Sequence, residues 1–311
     1  MDRREFMAVA ATAAATAATF SRETPAMIPV IDTHQHLWDL SKFKLGWLKK
    51  GDALDASYTP VEYAKAVEGL NVVKSVYMEV DVVEEQQPQE VEYVVALCES
   101  KKTPMVAAVV SGRPNSDGFA KYVMPFKGSK SIKGIRQVLH VPTTPAGYCL
   151  EPKFVKGIQL LGDLGLSFDL CLRPAELPDF HKLVDQCPGT RFILDHCGNP
   201  RFDFTPAQWD SWRSNMAAMA KRKNVVCKVS GFIANGYPKG KWTANDIAPA
   251  VNGTIEAFGI DRVMFGGDWP VCTLAGTYKD WLTGLKEVIS NRSAADQKKL
   301  LHDNAEKFYG I

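Results

Sequence analysis

The chain has 311 residues and a formal charge of +2, since 37 Lys and Arg residues nearly balance 35 Asp and Glu residues. Apolar residues make up 46% and charged residues 23% of the chain, which is ordinary for a folded globular protein and excludes a disordered, collagen-like or coiled-coil chain. The small charge also lacks the basic excess of nucleic-acid-binding proteins, so we expect no nucleic-acid partner.

The first 20 residues have the pattern of an export signal. The motif Arg3-Arg4-x-Phe6-Met7 is followed by an uncharged run rich in Ala and Thr. This motif resembles the twin-arginine signal, with Asp2 where that signal usually has Ser or Thr. We therefore predict a signal peptide over residues 1–26 and a periplasmic location after cleavage. The alternative is an uncleaved Ala-rich extension on a cytoplasmic protein.

The cysteines are scattered singly, without a C-x-x-C pair or a Cys/His cluster, so we expect neither a disulfide framework nor structural zinc. Their apolar surroundings predict small buried hydrophobic side chains. Twin-arginine export moves already folded protein, which is compatible with unpaired thiols. No stretch after the signal reaches membrane-spanning length, so we expect no stable membrane insertion. The seven cysteines are Cys98, Cys149, Cys171, Cys187, Cys197, Cys227 and Cys272.

After the signal, eight short β-rich runs alternate with amphipathic stretches. Most runs are continuously apolar, which is typical of strands covered on both faces. Helix starts are marked by Thr59-Pro60-x-Glu62 and Thr205-Pro206-x-Gln208, which combine an N-cap, a Pro at the first helical position and a capping-box partner. Thr243 and Ser293 begin weaker versions. The predicted strands cover residues 30–34, 72–80, 105–110, 132–139, 166–172, 191–195, 225–229 and 262–266.

A polar residue closes each predicted strand, and these residues recur about every 33 positions, a normal length for a strand–helix unit. Eight such units over residues 27–311 predict a single (β/α)8 barrel of the α/β class, whose function lies at the C-terminal strand ends. A doubly wound open sheet is the alternative, although no Gly-rich fingerprint follows the first strand. The closing residues are His34, Glu79, Ser111, His140, Arg173, His196, Ser230 and Asp268.

The run Asp32-Thr33-His34-Gln35-His36 ends the first strand. Residues two apart in an extended segment point to the same side, so His34 and His36 can present two imidazoles to one metal ion. The alternative is a pair of hydrogen-bonded polar groups. Trp38 follows just beyond.

Two further strand ends carry candidate catalytic groups. In Gly266-Gly267-Asp268-Trp269-Pro270, the glycines permit a tight turn that brings Asp268 to the barrel mouth as a metal ligand or general base. The alternative for Asp268 is a turn or helix-cap residue. In Asp195-His196, neighbouring side chains point in opposite directions. We therefore interpret Asp195 as a structural hydrogen-bond acceptor rather than the partner of His196. The alternative for His196 is a hydrogen-bonded core histidine.

Three cations lie near neighbouring strand ends: Arg136, Arg173 and Lys228. Three positive charges at one mouth favour a substrate with a carboxylate or many hydroxyls. The alternative is salt bridging at the barrel end, with Glu79 and Asp169 as the partners.

These motifs together resemble the amidohydrolase-related family, also called amidohydrolase 2. The matching runs extend in order along the mature chain: residues 32–36, Gly134-Ile135-Arg136-Gln137 with His140, residues 194–198, Lys228-Val229-Ser230-Gly231, residues 267–270, and Asn304-Ala305 with Tyr309-Gly310.

The resemblance implies a (β/α)8 barrel that hydrolyses a lactone, with sugar-acid lactonases as the members most similar to it. It implies His34, His36 and Asp268 as ligands of a divalent metal, with zinc expected, and His196 as a catalytic group. Glu79 is either a fourth ligand or a partner of Lys228. Leu172-Arg173-Pro174 stands where many members have a metal-binding His, so a metal-free mechanism is the alternative. We also expect His140 and Arg136 in catalysis, and Arg173, Lys228, Trp38 and Trp269 in substrate binding.

Two other functions stay open from the sequence. A nonoxidative decarboxylase of the same fold would keep the His pair and Asp268, whereas an exported carbohydrate-binding barrel would have lost the chemistry. The expected partner is a small-molecule lactone, and an oligomer is compatible with the sequence. In barrels the βα-loops determine the substrate, here residues 47–57 and 232–242.

Overall fold

The structure, a computed structural model, describes residues 27–311. Eight parallel strands form one sheet in which every strand neighbours the next in sequence. This order is that of a (β/α)8 barrel, so the predicted barrel is confirmed and the doubly wound alternative is wrong. The strands are β1 Val30–Gln35, β2 Val72–Met78, β3 Met105–Ser111, β4 Ile132–Val138, β5 Ser167–Cys171, β6 Arg191–Leu194, β7 Val225–Val229 and β8 Val263–Phe265.

Helices cover the outside of the sheet. Capping boxes begin α1 at Thr59, α6 at Thr205 and α7 at Thr243, as the sequence predicts, and a further one begins α8 at Thr277. The helices are α1 Pro60–Ala66, α2 Gln87–Ser100, α3 Phe119–Val123, α4 Pro152–Asp163, α5 Leu177–Gln186, α6 Pro206–Ala220, α7 Ala244–Phe258, α8 Tyr278–Val288, α9 Ala294–Lys298 and α10 Asn304–Tyr309.

Polar contacts join β1 to β8 and close the barrel. The Asp268 backbone N–H donates to the His34 carbonyl over 2.7 Å, and the His36 N–H donates to the Trp269 carbonyl over 2.8 Å. Beneath this junction, the buried Asp32 carboxylate accepts from the Gly267 N–H over 2.7 Å. Its other oxygen accepts from the hydroxyl groups of Tyr63 and Tyr278 over 2.8 and 3.1 Å.

The interior of the barrel is layered. Apolar side chains fill its lower part, among them Ile31, Val76 and Met264, and Tyr309 of α10 packs against them. A second, larger hydrophobic cluster fills the space between the sheet and the helices. Buried charged groups, among them Asp169, Asp195 and Lys228, lie between this apolar layer and the C-terminal strand ends.

All seven cysteines are free, and six of them are buried, which confirms the prediction of unpaired thiols. Within residues 27–311, no helix is long and apolar enough to cross a membrane. The predicted signal peptide lies outside the residues that the structure describes.

Candidate active site

A cavity of about 410 Å³ opens at the C-terminal ends of the strands. Its lining includes six of the predicted catalytic and metal-binding residues, contributed by different strands or the turns that follow them: His36, Glu79, Arg136, His140, His196 and Asp268. Segments distant in sequence thus meet where the sequence places the function of the barrel.

The ring of His36 has a defined orientation. Its Nδ1 lies 3.0 Å from both the Met78 and the Glu79 carbonyl oxygens. Because carbonyl oxygens only accept, Nδ1 carries the proton and donates. The other nitrogen, Nε2, then directs its lone pair at Asp268 Oδ1, 3.2 Å away. Two acceptors at this distance require a proton or a cation between them.

His34 is completely buried behind His36. Its Nε2 lies 3.6 Å from Asp268 Oδ1, and its Nδ1 lies 3.5 Å from Asp195 Oδ1. An Arg136 nitrogen lies 3.3 Å from the same Nε2. Burial holds the pKa of His34 well below its usual value, although Asp195 opposes the shift. A neutral His34 has one lone pair available for Arg136 or for a metal ion.

The donor set formed by His34, His36 and Asp268 fits a divalent cation. Their ligand atoms lie within 4.8 Å of one another. The separations of 3.2 and 3.6 Å from Asp268 Oδ1 to the two Nε2 atoms match ligands placed tetrahedrally about 2.0–2.1 Å from zinc. Such an ion would explain why two hydrogen-bond acceptors, His36 Nε2 and Asp268 Oδ1, face each other.

Glu79 is not part of this set. Its carboxylate accepts from Arg136 Nε over 2.7 Å, from the Ser111 hydroxyl over 2.9 Å and from the Asp81 N–H over 2.6 Å. Both expectations for Glu79 need correction, because it neither completes the metal site nor pairs with Lys228. Its contacts orient Arg136 instead.

His196 stands on a tight turn after β6, where φ is 54° for both His196 and Cys197. Its Nδ1 lies 2.9 Å from the Ser230 hydroxyl. A Cβ added to Gly231 would lie 2.1 Å from this Nδ1 and 2.7 Å from Asp268 Oδ2. The imidazole and the carboxylate therefore both lie against Gly231, and only glycine fits between them.

Burial sets the charge of the remaining histidines in the cavity. It lowers the pKa of His196, with Asp268 opposing the shift. It lowers the pKa of His140 to about 4, and the Arg136 guanidinium adds to this effect. Both imidazoles are therefore neutral at pH 7 and able to exchange a proton with a substrate.

Lys228 lies beneath the cavity and does not line it, so its prediction as a substrate-binding residue needs correction. The side chain is completely buried, and Nζ donates to Asp169 Oδ2 over 2.6 Å. Burial alone would lower the pKa of Lys228, but Asp169 outweighs it and holds the pKa raised. Lys228 also lies 3.5 Å from Asp195 Oδ1, while Arg136 lies 3.4 Å from Asp195 Oδ2. The Asp195 carboxylate thus lies between the buried side chains of Lys228 and Arg136 and also contacts His34.

The other predicted substrate-binding residues separate into two groups. Trp38 and Arg173 line the cavity. Trp269 does not; its ring is buried and packs edge-on against Tyr58 and Tyr63, with centroids 5.4 Å apart in each case. Its side chain supports the loop after β8, while its backbone carbonyl accepts from His36.

Sequence reasoning missed several residues of the site. Asp32 stood in the first motif without a role, and Gly231 followed a strand end without comment. Trp47 was expected only as part of a substrate-determining loop, residues 47–57, and it lines the cavity. The Ser230-Gly231 pair was the available signal, since a glycine directly after a strand in a barrel often permits close approach.

The family model and the relatives that this chain matches point to the same protein family. The amidohydrolase family model matches residues 31–311. The chain is similar to an L-fucono-1,5-lactonase from Burkholderia multivorans, with 26% identity over 296 residues that cover 90% of this chain and 96% of that protein. It is also similar to an L-rhamnono-gamma-lactonase from Scheffersomyces stipitis, with 24% identity covering 91% and 98% of the two chains.

Among solved structures, an amidohydrolase from Burkholderia multivorans with bound zinc has a TM-score of 0.80 at 23% identity, covering 91% of this chain and 99% of that one. This likeness shows a shared fold. Because the family model matches almost every residue that the structure describes, the chain belongs to the amidohydrolase family.

Proposed function

We propose that this protein hydrolyses a lactone ring at the mouth of its barrel. The observation that carries the proposal is the surroundings of Asp268, a carboxylate that faces two imidazoles and lines a cavity with His140, His196 and Arg136. The names of the lactonases to which the chain is similar support the same reaction.

Opening a lactone requires an activated water, stabilisation of the oxyanion and a proton for the leaving alkoxide. Asp268 acts as the general base and accepts the proton of the attacking water. A proton or a cation shared between His36 Nε2 and Asp268 Oδ1, which lie 3.2 Å apart, would hold this carboxylate in place. The proton then passes from Asp268 to the ring oxygen, so that water and ester become an acid and an alcohol.

Arg136 and His196 stabilise the charge that develops on the carbonyl oxygen. Glu79 fixes the position of Arg136 through its Nε, and Ser230 fixes the His196 ring through Nδ1. Neither group needs to reorganise during the reaction. His140, neutral at pH 7, adds a second imidazole on the β4 side of the cavity.

His34, His36 and Asp268 are the residues that would hold a divalent ion, with zinc proposed. When bound, such an ion supplies a positive charge that polarises a carbonyl and acidifies water. If this ion is required, a chelator abolishes turnover and readdition of zinc restores it. If turnover survives the chelator while measured metal content falls to zero, Asp268 acts without it.

The protein is further proposed to work in the periplasm after twin-arginine export. The Arg3-Arg4 motif supports this location, and the free thiols are compatible with folding before export.

The test is a pH-indicator screen of lactones with the purified full-length protein, with metal content measured on the same batch. Acid release that disappears in an Asp268→Asn variant supports the proposal. Release of carbon dioxide from an aromatic acid, without lactone opening, would identify a decarboxylase. Saturable sugar binding without turnover would identify a binding protein.

A further inference from the structure

Each guanidinium group that lines the cavity already has a carboxylate partner. Arg136 pairs with Glu79 over 2.7 Å, and both side chains are buried. Arg173 pairs with Glu176 over 2.6 Å and also donates to the Val141 and Thr144 carbonyls. Arg173 is thus already paired within the protein, and Arg136, paired at the reaction end, is the proposed partner of the oxyanion. Neither guanidinium is left unpaired for a second carboxylate on the substrate.

Arg201, at the outer part of the cavity, pairs with Asp203 over 2.9 Å. Both side chains of this pair are at least half exposed, so water screens their charges. Among the described residues of the cavity, a substrate carboxylate would thus meet only guanidinium groups that are paired or screened by water, and Asp268 would repel it. An additional anion in this cavity is unfavourable because it would lose its hydration without gaining a partner.

The wall formed by Trp38 and Trp47 is apolar despite its two indole N–H groups. Trp38 Nε1 donates to the Ala56 carbonyl over 2.6 Å, and Trp47 Nε1 donates to the Val80 carbonyl over 2.8 Å. Both donors are thus committed to the protein. The rings pack edge to face with centroids 5.6 Å apart. Trp38 is almost completely buried, so the wall presents to the cavity mainly the carbon surface of Trp47.

Aliphatic side chains continue this surface from other loops. Val80, Val138, Val141, Leu172, Pro174 and Val271 line the same cavity. The polar groups needed for hydrolysis lie together at one end, where Asp268 and His196 meet at Gly231. The cavity therefore has a polar reaction end and largely apolar walls. The polar exceptions Asp81, Asn199 and Asn235 bond to other protein groups, Asp81 to Arg113 and the two amides to each other.

We infer that the substrate of this site is an uncharged lactone, without a second carboxylate, that carries an apolar ring substituent against the wall formed by Trp38 and Trp47. This inference rests on the proposed lactone hydrolysis and narrows its substrate class. It favours alkyl- or aryl-substituted lactones over both carboxylated lactones and lactones that carry a hydroxyl on every ring carbon.

A series of δ-lactones with the same ring tests the inference. One is unsubstituted, others carry a methyl, propyl or pentyl group, one carries a carboxylate and one is a fully hydroxylated aldonolactone. We expect kcat/KM to rise roughly fourfold per buried methylene until the cavity is filled. The carboxylated ring should be hydrolysed at least about tenfold less efficiently than the propyl ring.

The outcomes separate the two proposals. Preference for the carboxylated or the fully hydroxylated ring over the alkyl rings would overturn the inference while supporting lactone hydrolysis. Failure to open any lactone would overturn the proposed function itself.

A variant of one carboxylate tests the charge argument directly. Glu176→Gln keeps the shape of this side chain but leaves the Arg173 guanidinium without its anion. The ratio of kcat/KM for the carboxylated ring to that for the propyl ring should rise about tenfold, since hydrogen bonds to charged groups are among the stronger ones.

Asp185→Asn is the matched control, because it removes one negative charge from α5, the helix that Glu176 directly precedes. Asp185 pairs with Arg222 outside the cavity. Thermal unfolding confirms that both variants fold. An equal ratio in the wild type, Glu176→Gln and Asp185→Asn would show that paired guanidinium groups do not select against a carboxylate.

Discussion

Asp268 combines a reactive position with a left-handed backbone, with φ of 51°. Asn tolerates this conformation better than most residues, and the Gly267 N–H that anchors the turn is bound by Asp32 rather than by Asp268. An amide at this position should therefore change the chemistry and leave the fold in place.

We expect Asp268→Asn to lower kcat at least about a hundredfold, because general base catalysis is typically worth roughly 10²–10⁴-fold. KM should change less, since the carboxylate acts mainly as charge develops. Steady-state kinetics on the best lactone measure both. Asp261→Asn, at an exposed ion pair with Lys299, is the control. Full activity in Asp268→Asn would move the base role to His196.

Gly231 provides a second test at a single residue. In Gly231→Ala, the new methyl group would lie 2.1 Å from His196 Nδ1, so the imidazole must move. Activity should fall at least about tenfold. The control is Gly240→Ala, where φ is +65° and nothing lies within 4 Å, so it shares the backbone strain without the contact. Equal activity of the two variants would show that strain, not displacement of His196, matters.

Among the elements, helix α2 places a buried carboxyl group, that of Glu90, against the sheet. Glu90 of α2 accepts from the Tyr77 hydroxyl over 2.9 Å and from the Ser111 N–H over 3.0 Å. Burial, together with nearby Glu79, raises the pKa of Glu90 to about 7. Between the unfolded value of 4.5 and this value, the folded protein holds more protons than the unfolded chain.

This contribution to stability is therefore complete below about pH 4.5 and is lost as the pH rises through about 7. The loss is about 3 kcal/mol at most. We expect Glu90→Gln to have a smaller fall in Tm between pH 5 and pH 8 than the wild type, whatever its stability at pH 5. Parallel pH profiles for the two proteins would contradict the assignment to Glu90.

The elements also show what the sequence could predict. Apolar runs located all eight strands, but β6 ends at Leu194 and β8 begins at Val263, since Asp195 and Arg262 belong to helical turns. The alternation along β7 places Lys228 on the same face as Val226, toward the barrel interior. Sequence alone does not give its depth, which is why Lys228 was expected in the cavity.

At the scale of the molecule, the barrel itself was predictable because eight strand–helix units repeat at a regular interval. The pairing of the cavity cations was not, because it depends on side-chain directions. Glu79, after β2, reaches Arg136 of β4, and Arg173 turns back to Glu176 three residues later. The sequence offered carboxylate binding and salt bridging as alternatives, and the structure has the salt bridges.

The proposed export concerns the whole chain. We expect replacement of both Arg3 and Arg4 by Lys to retain full-length protein in the cytoplasm, because twin-arginine recognition requires the guanidinium pair. Cell fractionation followed by immunoblotting measures the distribution. The same double substitution should leave lactone hydrolysis by the purified protein unchanged. Normal export of the Lys variant would contradict the proposed signal.

The closure of β1 against β8 has a consequence for synthesis. His36 and Asp268, which meet at 3.2 Å, are separated by 232 positions in the chain. A ribosome must therefore release nearly the entire polypeptide before the first and last strands can join, and the Asp32 carboxylate receives its Gly267 N–H only then. Chains that terminate between His36 and Asp268 contain both histidines but lack the carboxylate that faces the two Nε2 atoms, so they lack the proposed general base.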